Sequence, residues 1–470
     1  MANTNLGAAK AAKNDEFYTQ YHDIEREVNA YIEYDPDVFR GKTILLPCDD
    51  PEWSNFTKYF AQNFDRFGLK RLISTSYAPE SKKFINWEPT LFETEDPKFD
   101  EDKSKTNGKI FILDRDKTGD GRIDVNDLVW DYLEGDGDFR SDEIKRLRDE
   151  ADFIITNPPF SLFREFLAWI VEADKRFLVI GNMNAITYKE VFPLIKDNRI
   201  WLGTNDVRWF YFEKASGDLY EAAHSRWFTN IDNGRRHQPL PLMTMADNIK
   251  FSRHKEIRGH GYQHYDNYDA IEVPYTDAIP SDYEECLGVP ISFLDKYCPE
   301  QFEIIGSFNN SNLAEKGNEG YVLSKDTPTI IGGVEKMWNG PVVNKQPLYK
   351  RIVIKAITPP LNTMSINELR DYVIRTFGFV PEEVTIVSGI MGVPISFLDK
   401  YCPEQFEILG MCENMDLYGL KTRVYTTDEC RKAYYDKFGK KGTYDLNASG
   451  VVIENNLYEK VYQRILIRKM

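Results

Sequence analysis

The stretch ADFIITNPPFSLF, residues 151–163, places an asparagine, two prolines and an aromatic residue directly after an apolar run. The run predicts a buried strand, which Pro158 and Pro159 end because they lack a backbone N–H. The Asn157 side-chain oxygen and the Pro158 carbonyl oxygen could then accept hydrogen bonds from a planar amino group. Phe160 would stack on the attached ring and fix its plane.

This arrangement suits one kind of chemistry. An amino group conjugated to a heterocycle is a weak nucleophile because its lone pair is delocalised. Two acceptors on its hydrogens would draw the nitrogen toward tetrahedral geometry and direct the lone pair at an electrophilic methyl group. Positioning and electrostatics supply the rate in this scheme, without a metal or a covalent enzyme intermediate. The stretch therefore predicts methyl transfer to a ring amino group, and the alternative is a stiff structural turn.

Alternating strand and helix patterns surround this stretch through about residue 200, which predicts an α/β domain with a parallel sheet. Strand patterns are KTILLPCDD, KRLISTSY and RFLVIGNMNAI. Helix patterns are SNFTKYFAQNFDRFG, closed by Gly68, and SLFREFLAWIVEADK and TYKEVFPLIKD. Such sheets bind ligands at the carboxyl ends of their strands. Because Cys48, Asp49, Asp50 and Asn157 follow strand patterns, we expect them at one ligand-binding edge.

The pattern changes beyond about Trp201, where aromatic strand-like segments alternate with polar loops. The sequence GVPISFLDKYCPEQFEI then occurs twice without change, at residues 288–304 and 392–408. The two units also close alike, with LYKRIVIK and VYQRILIR. Two copies are too few for a solenoid, so tandem small units are expected. The second copy is either a duplicated recognition element or a redundant structural cap.

The composition limits the class of protein. The chain has 470 residues, enough for two or three domains with hydrophobic cores. It has no apolar run long enough to span a membrane, and its first residues lack the apolar core of a signal peptide. The six cysteines show no CxxC pairing, which favours a reducing compartment and argues against a zinc site. We therefore expect a cytoplasmic protein without a membrane partner.

The net charge of −16 argues by itself against a nucleic-acid partner. Basic residues are nonetheless concentrated between residues 226 and 258, and we call this segment the basic stripe. A locally basic surface on an acidic protein can still bind phosphates, whereas the alternative is an ordinary solvated loop. The residues predicted to contact DNA are Arg226, Arg235, Arg236, His237, Lys250 and Arg253.

A second chemical pattern, DKTGDGRIDVND at residues 116–127, resembles an EF-hand calcium loop. The ligand positions would be filled by Asp116, Thr118, Asp120, the Arg122 carbonyl, Asp124 and Asp127. Thr118 and Asp127 depart from the usual residues, and the preceding KIFILD predicts a strand in place of an entering helix. The following VNDLVWDYLEG predicts a helix. Calcium binding and an empty loop stand as equal alternatives, and a bound ion would order a surface insertion.

Eight stretches resemble, in order, the EcoRI-type family of adenine-specific DNA methyltransferases. They are NDEFYTQYHDIE, CDDPEWSNFTKYF, GDGDFRSDE, ADFIITNPPFSLFREF, FLVIGNMNAITYKEVFPLI, WFTNID, YDNYDAIEV and GVPISFLDKYCPEQFEI, spread over most of residues 14–306. The resemblance implies a Rossmann-like domain that binds S-adenosylmethionine, followed by an α+β target-recognition region with a duplicated C-terminal unit. It also implies that Asn157, Pro158, Pro159 and Phe160 are the catalytic motif.

The resemblance assigns further contacts by position. EFYTQ resembles the N-terminal motif that packs against the cofactor, and LLPCDDPEWSNF occupies the place of the first methyltransferase motif, without its usual glycines. GDFRS resembles the motif whose Asp contacts the cofactor adenine, with a turn residue as the alternative. WFTN lies where related enzymes place an aromatic residue beneath the target base, with a core position as the alternative. The implied cofactor contacts are Phe17, Tyr18, Thr19, Cys48, Asp49, Asp50, Asp138 and Phe139, and the implied stacking residue is Trp227 or Phe228.

The expected function is methyl transfer from S-adenosylmethionine to the 6-amino group of an adenine flipped out of duplex DNA, for restriction-modification. The expected protein is a monomer that shares its DNA site with a cognate restriction endonuclease. Alternatives are methylation of a protein glutamine or of RNA, and a non-catalytic DNA- or calcium-binding protein on the same fold. The predicted regions are 1–215 (catalytic, with an insertion at about 100–135), 216–282 (basic and DNA-contacting), 283–357 (first C-terminal unit), 358–387 (linker) and 388–470 (second C-terminal unit).

Overall fold

The structure, a computed structural model, describes most of the chain. The described residues are 18–48, 54–78, 94, 96–211, 219–308, 320–357, 366–377, 379, 384–387, 390–400, 406–411, 425–446, 451–455, 457–461 and 464–469. Within them, no helix is both long enough and apolar enough to cross a membrane.

The strands of the amino-terminal half belong to one large sheet. They are β1 (Tyr18–Thr19), β2 (Thr43–Leu46), β3 (Arg71–Thr75), β4 (Lys109–Leu113), β5 (Val129–Tyr132), β6 (Phe153–Thr156), β7 (Arg176–Asn182), β8 (Trp201–Tyr211) and β9 (Leu219–Thr229).

The strands of the carboxyl-terminal half form smaller sheets and hairpins. They are β10 (Gln263–His264), β11 (Ile271–Glu272), β12 (Leu287–Pro290), β13 (Phe302–Phe308), β14 (Tyr321–Val322), β15 (Thr327–Ile331), β16 (Val334–Trp338), β17 (Val342–Val343), β18 (Gln346–Pro347), β19 (Arg351–Ala356), β20 (Thr385–Val387), β21 (Ile390–Pro394), β22 (Phe406–Met411), β23 (Val451–Asn455), β24 (Leu457–Val461) and β25 (Arg464–Lys469).

The helices of the described residues are mostly short. They are α1 (Tyr21–Tyr34), α2 (Asn55–Gln62), α3 (Phe64–Phe67), α4 (Glu101–Thr106), α5 (Asp142–Glu150), α6 (Phe163–Glu172), α7 (Phe192–Lys196), α8 (Met245–Phe251), α9 (Ile366–Phe377) and α10 (Thr427–Phe438). Short 3-10 turns stand between them, including Phe160–Leu162 and Met183–Thr187.

The large sheet has nine strands in the order β5-β4-β3-β2-β6-β7-β9-β8-β1. Its four central strands, β3, β2, β6 and β7, are parallel, whereas the strands on both flanks are antiparallel. Alternate residues of the central strands enter different cores: Ile44 and Ile155 join the α1 and α2 side, Leu45 and Ile154 the α6 side. Because both faces are covered, these strands are continuous apolar runs.

The α/β class is confirmed, since the described residues form a mixed α/β fold around one large sheet, but the parallel part of that sheet extends over only the four central strands. The helix end at Gly68 is confirmed as well: Gly68 has φ of 62° and caps α3 in the left-handed conformation. The expected helix TYKEVFPLIKD is reduced to α7, which starts with Pro193 in its first turn. There the missing N–H of proline breaks no helical hydrogen bond.

Three of the predicted segments contain strands or a helix that their predicted roles did not include. β4 and β5 fall in the segment expected as an insertion, yet both are strands of the large sheet. β9 falls in the segment expected to contact DNA, and it too belongs to this sheet, between β7 and β8. The expected linker contains α9.

The repeated sequence has the same local structure in both copies. In the first copy β12 and β13 flank β19, with Ile304 opposite Ile354, in a six-stranded sheet. In the second copy β21 and β22 flank β25, with Ile408 opposite Ile467, in a four-stranded sheet. A bulge follows the isoleucine of the repeat in each case.

The surroundings of the two copies differ. Leu294 of the first copy is 7% exposed and packs into the core that also contains α6. Its equivalent in the second copy, Leu398, is 50% exposed. The first copy is therefore built into the core beside the large sheet, whereas the second leaves the same side chain in solvent.

Candidate active site

The carboxyl edge of the large sheet contains a topological switch point between β2 and β6. The chain leaves β2 through α2 and α3 to reach β3 on one side, and it leaves β6 through α6 to reach β7 on the other. Neighbouring strands whose connections diverge in this way open a crevice at their carboxyl ends, where ligands bind. The pairing of Ile44 with Phe153 and of Leu45 with Ile154 sets the register. Continued along both strands, it places Cys48 level with Asn157.

The Asn157 turn begins where the four-residue buried strand β6 ends. Pro158 is buried, while Asn157, Pro159 and Phe160 are partly buried, and the Asn157 Oδ1 atom itself is shielded from solvent. The Pro159 carbonyl accepts a hydrogen bond of 2.9 Å from the Leu162 N–H, which starts the 3-10 turn that leads into α6. The Phe160 ring meets Phe210 of β8 edge-on, at 6.2 Å between ring centroids. The motif is thus held by a strand on one side and a helix on the other.

The segment around Asp138 packs directly on the chain that follows β3. Gly137 has φ of 82°, and a side chain there would collide with the Ser76 carbonyl. The Ala78 N–H donates to the Asp136 carbonyl at 2.8 Å. Asp138 therefore stands near the carboxyl end of β3, one strand beyond Cys48. Its carboxylate accepts hydrogen bonds from the Arg140 guanidinium, the shorter at 2.6 Å.

The amino-terminal motif approaches the same edge from the far side of the sheet. Tyr18 and Thr19 form β1, which pairs with Tyr211 and Phe210 of β8. The Thr19 carbonyl accepts a hydrogen bond of 2.7 Å from the Asn55 side chain, in the first turn of α2. The Thr19 hydroxyl is buried and makes no hydrogen bond within the described residues. The predicted contacts Phe17, Asp49 and Asp50 lie outside the described residues.

Three predicted aromatic contacts are core side chains in this structure. Trp227 and Phe228 are both 0% exposed, and they lie in the clusters on opposite faces of the sheet. Phe139 is also buried and meets Phe166 and Trp169 edge-on. Because β9 is a strand within the sheet, its alternate side chains enter the two cores. This burial favours the core role for Trp227 and Phe228 over stacking beneath a target base.

Comparison of the sequence with known proteins identifies the family of the chain. The model of the family described as adenine-specific methyltransferase EcoRI matches residues 5–357 and 382–470. The chain belongs to this family. The Asn157 motif is therefore found in an adenine-specific methyltransferase.

Individual relatives agree with the family assignment. The chain is 42% identical to the Type II methyltransferase M.EcoRI of Escherichia coli, over 64% of this chain and 88% of that protein. It is 32% identical to the Type II methyltransferase M.MpnI of Mycoplasma pneumoniae, over 64% of this chain and 85% of that protein. A second mycoplasma relative, M.MgeORF184P of Mycoplasma genitalium, is also 32% identical. No solved structure gives a significant match.

Much of the basic stripe of this methyltransferase is neutralised internally. Arg226 pairs with Asp206 at 2.8 Å and with Asp295 at 3.4 Å. Arg236 is buried, pairs with Asp232 at 3.0 Å and lies 3.5 Å from the centre of the Trp201 ring. The Arg226 pair connects the first repeat copy to β9, and the contact of Arg236 with Trp201 connects the 3-10 turn after β9 to β8.

The remaining predicted DNA contacts are more exposed. Arg235 donates to the Thr204 carbonyl, and Arg253 is exposed and pairs with Asp277 at 2.7 Å. Lys250 lies over the Phe251 ring at 4.8 Å. For DNA binding, Lys250 and Arg253 therefore remain the more accessible candidates.

His237 joins two acidic residues that are far apart in the sequence. Its Nδ1 lies 2.6 Å from Glu300 of the first repeat copy, and its Nε2 lies 3.0 Å from Asp232. Burial by itself would lower the pKa of His237, but the hydrogen bonds to Asp232 and Glu300 outweigh it and raise the pKa. Protonated His237 therefore links the first repeat copy to the segment that follows β9.

This linkage predicts a pH-dependent stability. Because the folded-state pKa is raised, the contribution of His237 is fully present below the unfolded value of about 6.5 and is lost as the pH rises through the folded value. We expect His237→Gln to lower the urea midpoint more at about pH 6 than at about pH 8.5. An equal effect at both pH values would contradict the charged linkage, and the matched control is the exposed His264, changed to Gln.

In the calcium-like loop, backbone N–H groups of the loop itself donate hydrogen bonds to its carboxylates. Asp127 accepts hydrogen bonds from the backbone N–H groups of Asp124, Thr118 and Lys117, which lower its pKa to about 2. Asp116 likewise accepts from the N–H groups of Gly119 and Gly121. Among the described residues, no group of three or more acidic, histidine or cysteine side chains could hold a metal ion. Calcium is therefore not supported.

The helix predicted after this loop is wrong. Residues Val125–Asp127 form one 3-10 turn, and β5 follows. β5 is rich in aromatic and β-branched residues and pairs with β4, so the sheet determines its conformation.

A buried glutamate on α1 was not predicted as important. Glu27 is 0% exposed, and its carboxylate accepts hydrogen bonds from the Tyr31 hydroxyl and from the backbone N–H groups of Thr204 and Asn205. β8 bulges away from its neighbour here, which frees these N–H groups from the ladder. Gly203 lets the carboxylate approach, since a side chain there would collide with it. The available signal was a glutamate on the apolar face of α1, four residues before a tyrosine.

Proposed function

We propose that the chain transfers a methyl group from S-adenosylmethionine to the 6-amino group of an adenine flipped out of duplex DNA. The observation that carries the proposal is the Asn157-Pro158-Pro159-Phe160 turn at the switch point of the sheet. Its acceptors and its aromatic ring match the chemistry of a planar amino group, and the family is that of adenine-specific methyltransferases. The Type II relatives support a role in restriction-modification.

The residues at the β2 and β3 side of the edge, together with those of β1, fit the proposed cofactor. Cys48 follows β2, and the Asp138 segment packs on the chain that follows the neighbouring β3, where the close approach of Gly137 to the Ser76 carbonyl holds it in place. The buried Thr19 hydroxyl, without a hydrogen bond in the described residues, suits a contact with a polar ligand. We assign Tyr18, Thr19, Cys48 and Asp138 to this role. When bound, the cofactor supplies an electrophilic methyl group on a sulfonium.

In the proposed reaction the protein acts mainly by positioning. The Asn157 Oδ1 and the Pro158 carbonyl oxygen each accept a hydrogen bond from the amino group. Phe160 stacks on the adenine ring and fixes its plane. The nitrogen lone pair forms the new bond to the methyl carbon as the bond from carbon to sulfur breaks, and the nitrogen then releases one proton to water. Flipping the base costs about a few kcal/mol of stacking and pairing, which DNA contacts must offset.

We further propose that the regions after the large sheet select the DNA sequence by contacts to base edges. We also propose that the chain is divided into a catalytic region, a basic region and two C-terminal units joined by a linker. We propose further that the protein is a monomer, that it is cytoplasmic, and that a cognate restriction endonuclease acts on the same DNA site.

One experiment tests the reaction, the base and the sequence together. Genomic DNA from cells that express the protein is sequenced for modified bases, beside DNA from cells that express Asn157→Ala. We expect N6-methyladenine at one short sequence with the parent protein alone. Purified protein is then given methyl-labelled cofactor with duplex DNA, RNA or cell protein. Label in RNA or protein and none in DNA would overturn the proposal.

A further inference from the structure

Two cationic side chains stand beside the short segment that follows β7. The Lys350 ammonium donates a hydrogen bond of 2.5 Å to the Thr187 hydroxyl. The Arg164 guanidinium lies over the Tyr188 ring, 4.2 Å from its centre. Neither forms an ion pair with an acidic residue in the described part of the chain.

Both cations lie near the catalytic turn. β6 pairs with β7 so that Thr156 is opposite Val179, and the same register places Asn182 level with Pro159. The segment that holds Thr187 and Tyr188 begins directly after Asn182. Arg164 occupies the first turn of α6, only four residues after Phe160.

Their side of the turn is opposite to the cofactor side. On one side of β6, Cys48 follows β2 and the Asp138 segment packs on the chain that follows β3. Thr19 of β1 is hydrogen-bonded to Asn55 of α2, the helix that follows β2. Lys350 and Arg164 instead flank the end of β7, on the other side of β6. A target base above Asn157 must connect to its DNA strand on a side that the cofactor leaves open. The β7 side meets this requirement.

The Lys350 ammonium is in a setting that favours an anion. It is partly buried, and this burial lowers its pKa. Its hydrogen-bond partner is a neutral hydroxyl, and among the described residues no acidic side chain compensates its charge. A phosphate could compensate it, and the exposed Arg164 could bind the same or the next phosphate with a planar fork of donors.

The internal repeat provides an independent comparison. The first unit closes with LYKR and the second with VYQR, so Gln463 stands at the position of Lys350, while Arg351 and Arg464 correspond. The cation is therefore specific to the unit whose repeat is buried beside the large sheet.

We propose that Lys350 and Arg164 bind the phosphates that flank the target adenine after it leaves the stack. The proposal rests on the DNA methylation proposed above. It gives the first C-terminal unit a direct part in holding DNA at the active site, in addition to any part in sequence selection. Both are positioning residues, since neither touches the reacting atoms.

The salt dependence of DNA binding tests this proposal. Each lost phosphate contact lowers the slope of log affinity against log salt by about 0.9. For Lys350→Gln, which installs the residue of the second unit, we expect weaker binding of the methylation site. We also expect this deficit to shrink about 3-fold between roughly 50 and 200 mM salt. Arg164→Gln should behave likewise, and both variants should bind the cofactor as the parent does.

The control is Lys70→Gln. Lys70 is exposed and precedes β3, so it lies at the opposite edge of the sheet. Its removal should leave the slope unchanged. An unchanged slope in both Lys350→Gln and Arg164→Gln would overturn the proposal.

DNA in which single phosphates are replaced by uncharged methylphosphonates shows which phosphate Lys350 contacts. Duplexes that carry one methylphosphonate at each position near the target adenine are bound to the parent and to Lys350→Gln. We expect one flanking substitution to weaken the parent and to have no further effect on the variant. Additive losses at every position would overturn the assignment. These results are distinct from a failure of the proposed function, in which the parent itself would methylate no DNA.

Discussion

Replacement of Asn157 by alanine is expected to slow methyl transfer to a small residual rate while cofactor binding is retained. The substitution removes one of the two acceptors that would hold the amino group, on a turn fixed between β6 and α6. Loss of a single preorganised hydrogen-bonding group at a reacting atom typically costs on the order of 10²–10³-fold in rate. Single-turnover transfer of labelled methyl to duplex DNA measures the effect, and calorimetry measures cofactor binding.

Two companion variants make the Asn157 result specific. Asn157→Asp keeps an oxygen acceptor and should retain more activity than the alanine variant. Asn126→Ala removes an exposed asparagine of the same domain and should leave activity unchanged. Full activity of Asn157→Ala would refute the catalytic assignment.

The second large effect is expected from Glu27→Ala and concerns stability. The substitution leaves the N–H groups of Thr204 and Asn205 and the Tyr31 hydroxyl without their acceptor, inside the core. A buried donor left without its acceptor costs about 1–3 kcal/mol, and Glu27→Ala leaves several, so a loss of at least that size is expected. Urea unfolding followed by circular dichroism measures it, and Glu33→Ala, an exposed change on the same helix, should stay within about 0.5 kcal/mol of the parent.

The Glu27 carboxylate also has a pH signature. Burial raises its pKa, and the hydrogen bonds from Tyr31, Thr204 and Asn205 only partly oppose this. Because the folded-state pKa is raised, stability should decline as the pH rises from the unfolded value of about 4.3 through the folded value. The decline should be absent in Glu27→Gln. An identical pH profile in parent and variant would show that Glu27 titrates alike in both states.

The sequence predicts those features of the site that depend on residues adjacent in the chain. An apolar run followed by two prolines is enough to place a strand end, and a glycine after a helix pattern is enough to place the helix end at Gly68. Both depend on the backbone restrictions of single residues. The calcium-like loop shows the limit of this reasoning, since pairing with β4 determined the structure after Asp127.

The parts that were missed depend on partners distant in sequence. The contact of Glu27 with Thr204 spans 177 positions, and it exists because β8 bulges at that point. The burial of Trp227 follows from the insertion of β9 between β7 and β8. The neutralisation of Arg226 by Asp295 requires the first repeat copy to dock on the sheet. No local pattern contains this information.

The two repeat copies also face different evolutionary constraints. A mutation at Leu294 must satisfy a packed interior, whereas the same mutation at Leu398 meets solvent. Drift should therefore erase the repeat asymmetrically, with the second copy diverging first at the positions that the first copy buries. Position 398 of the second copy can therefore accept side chains that position 294 of the first copy cannot.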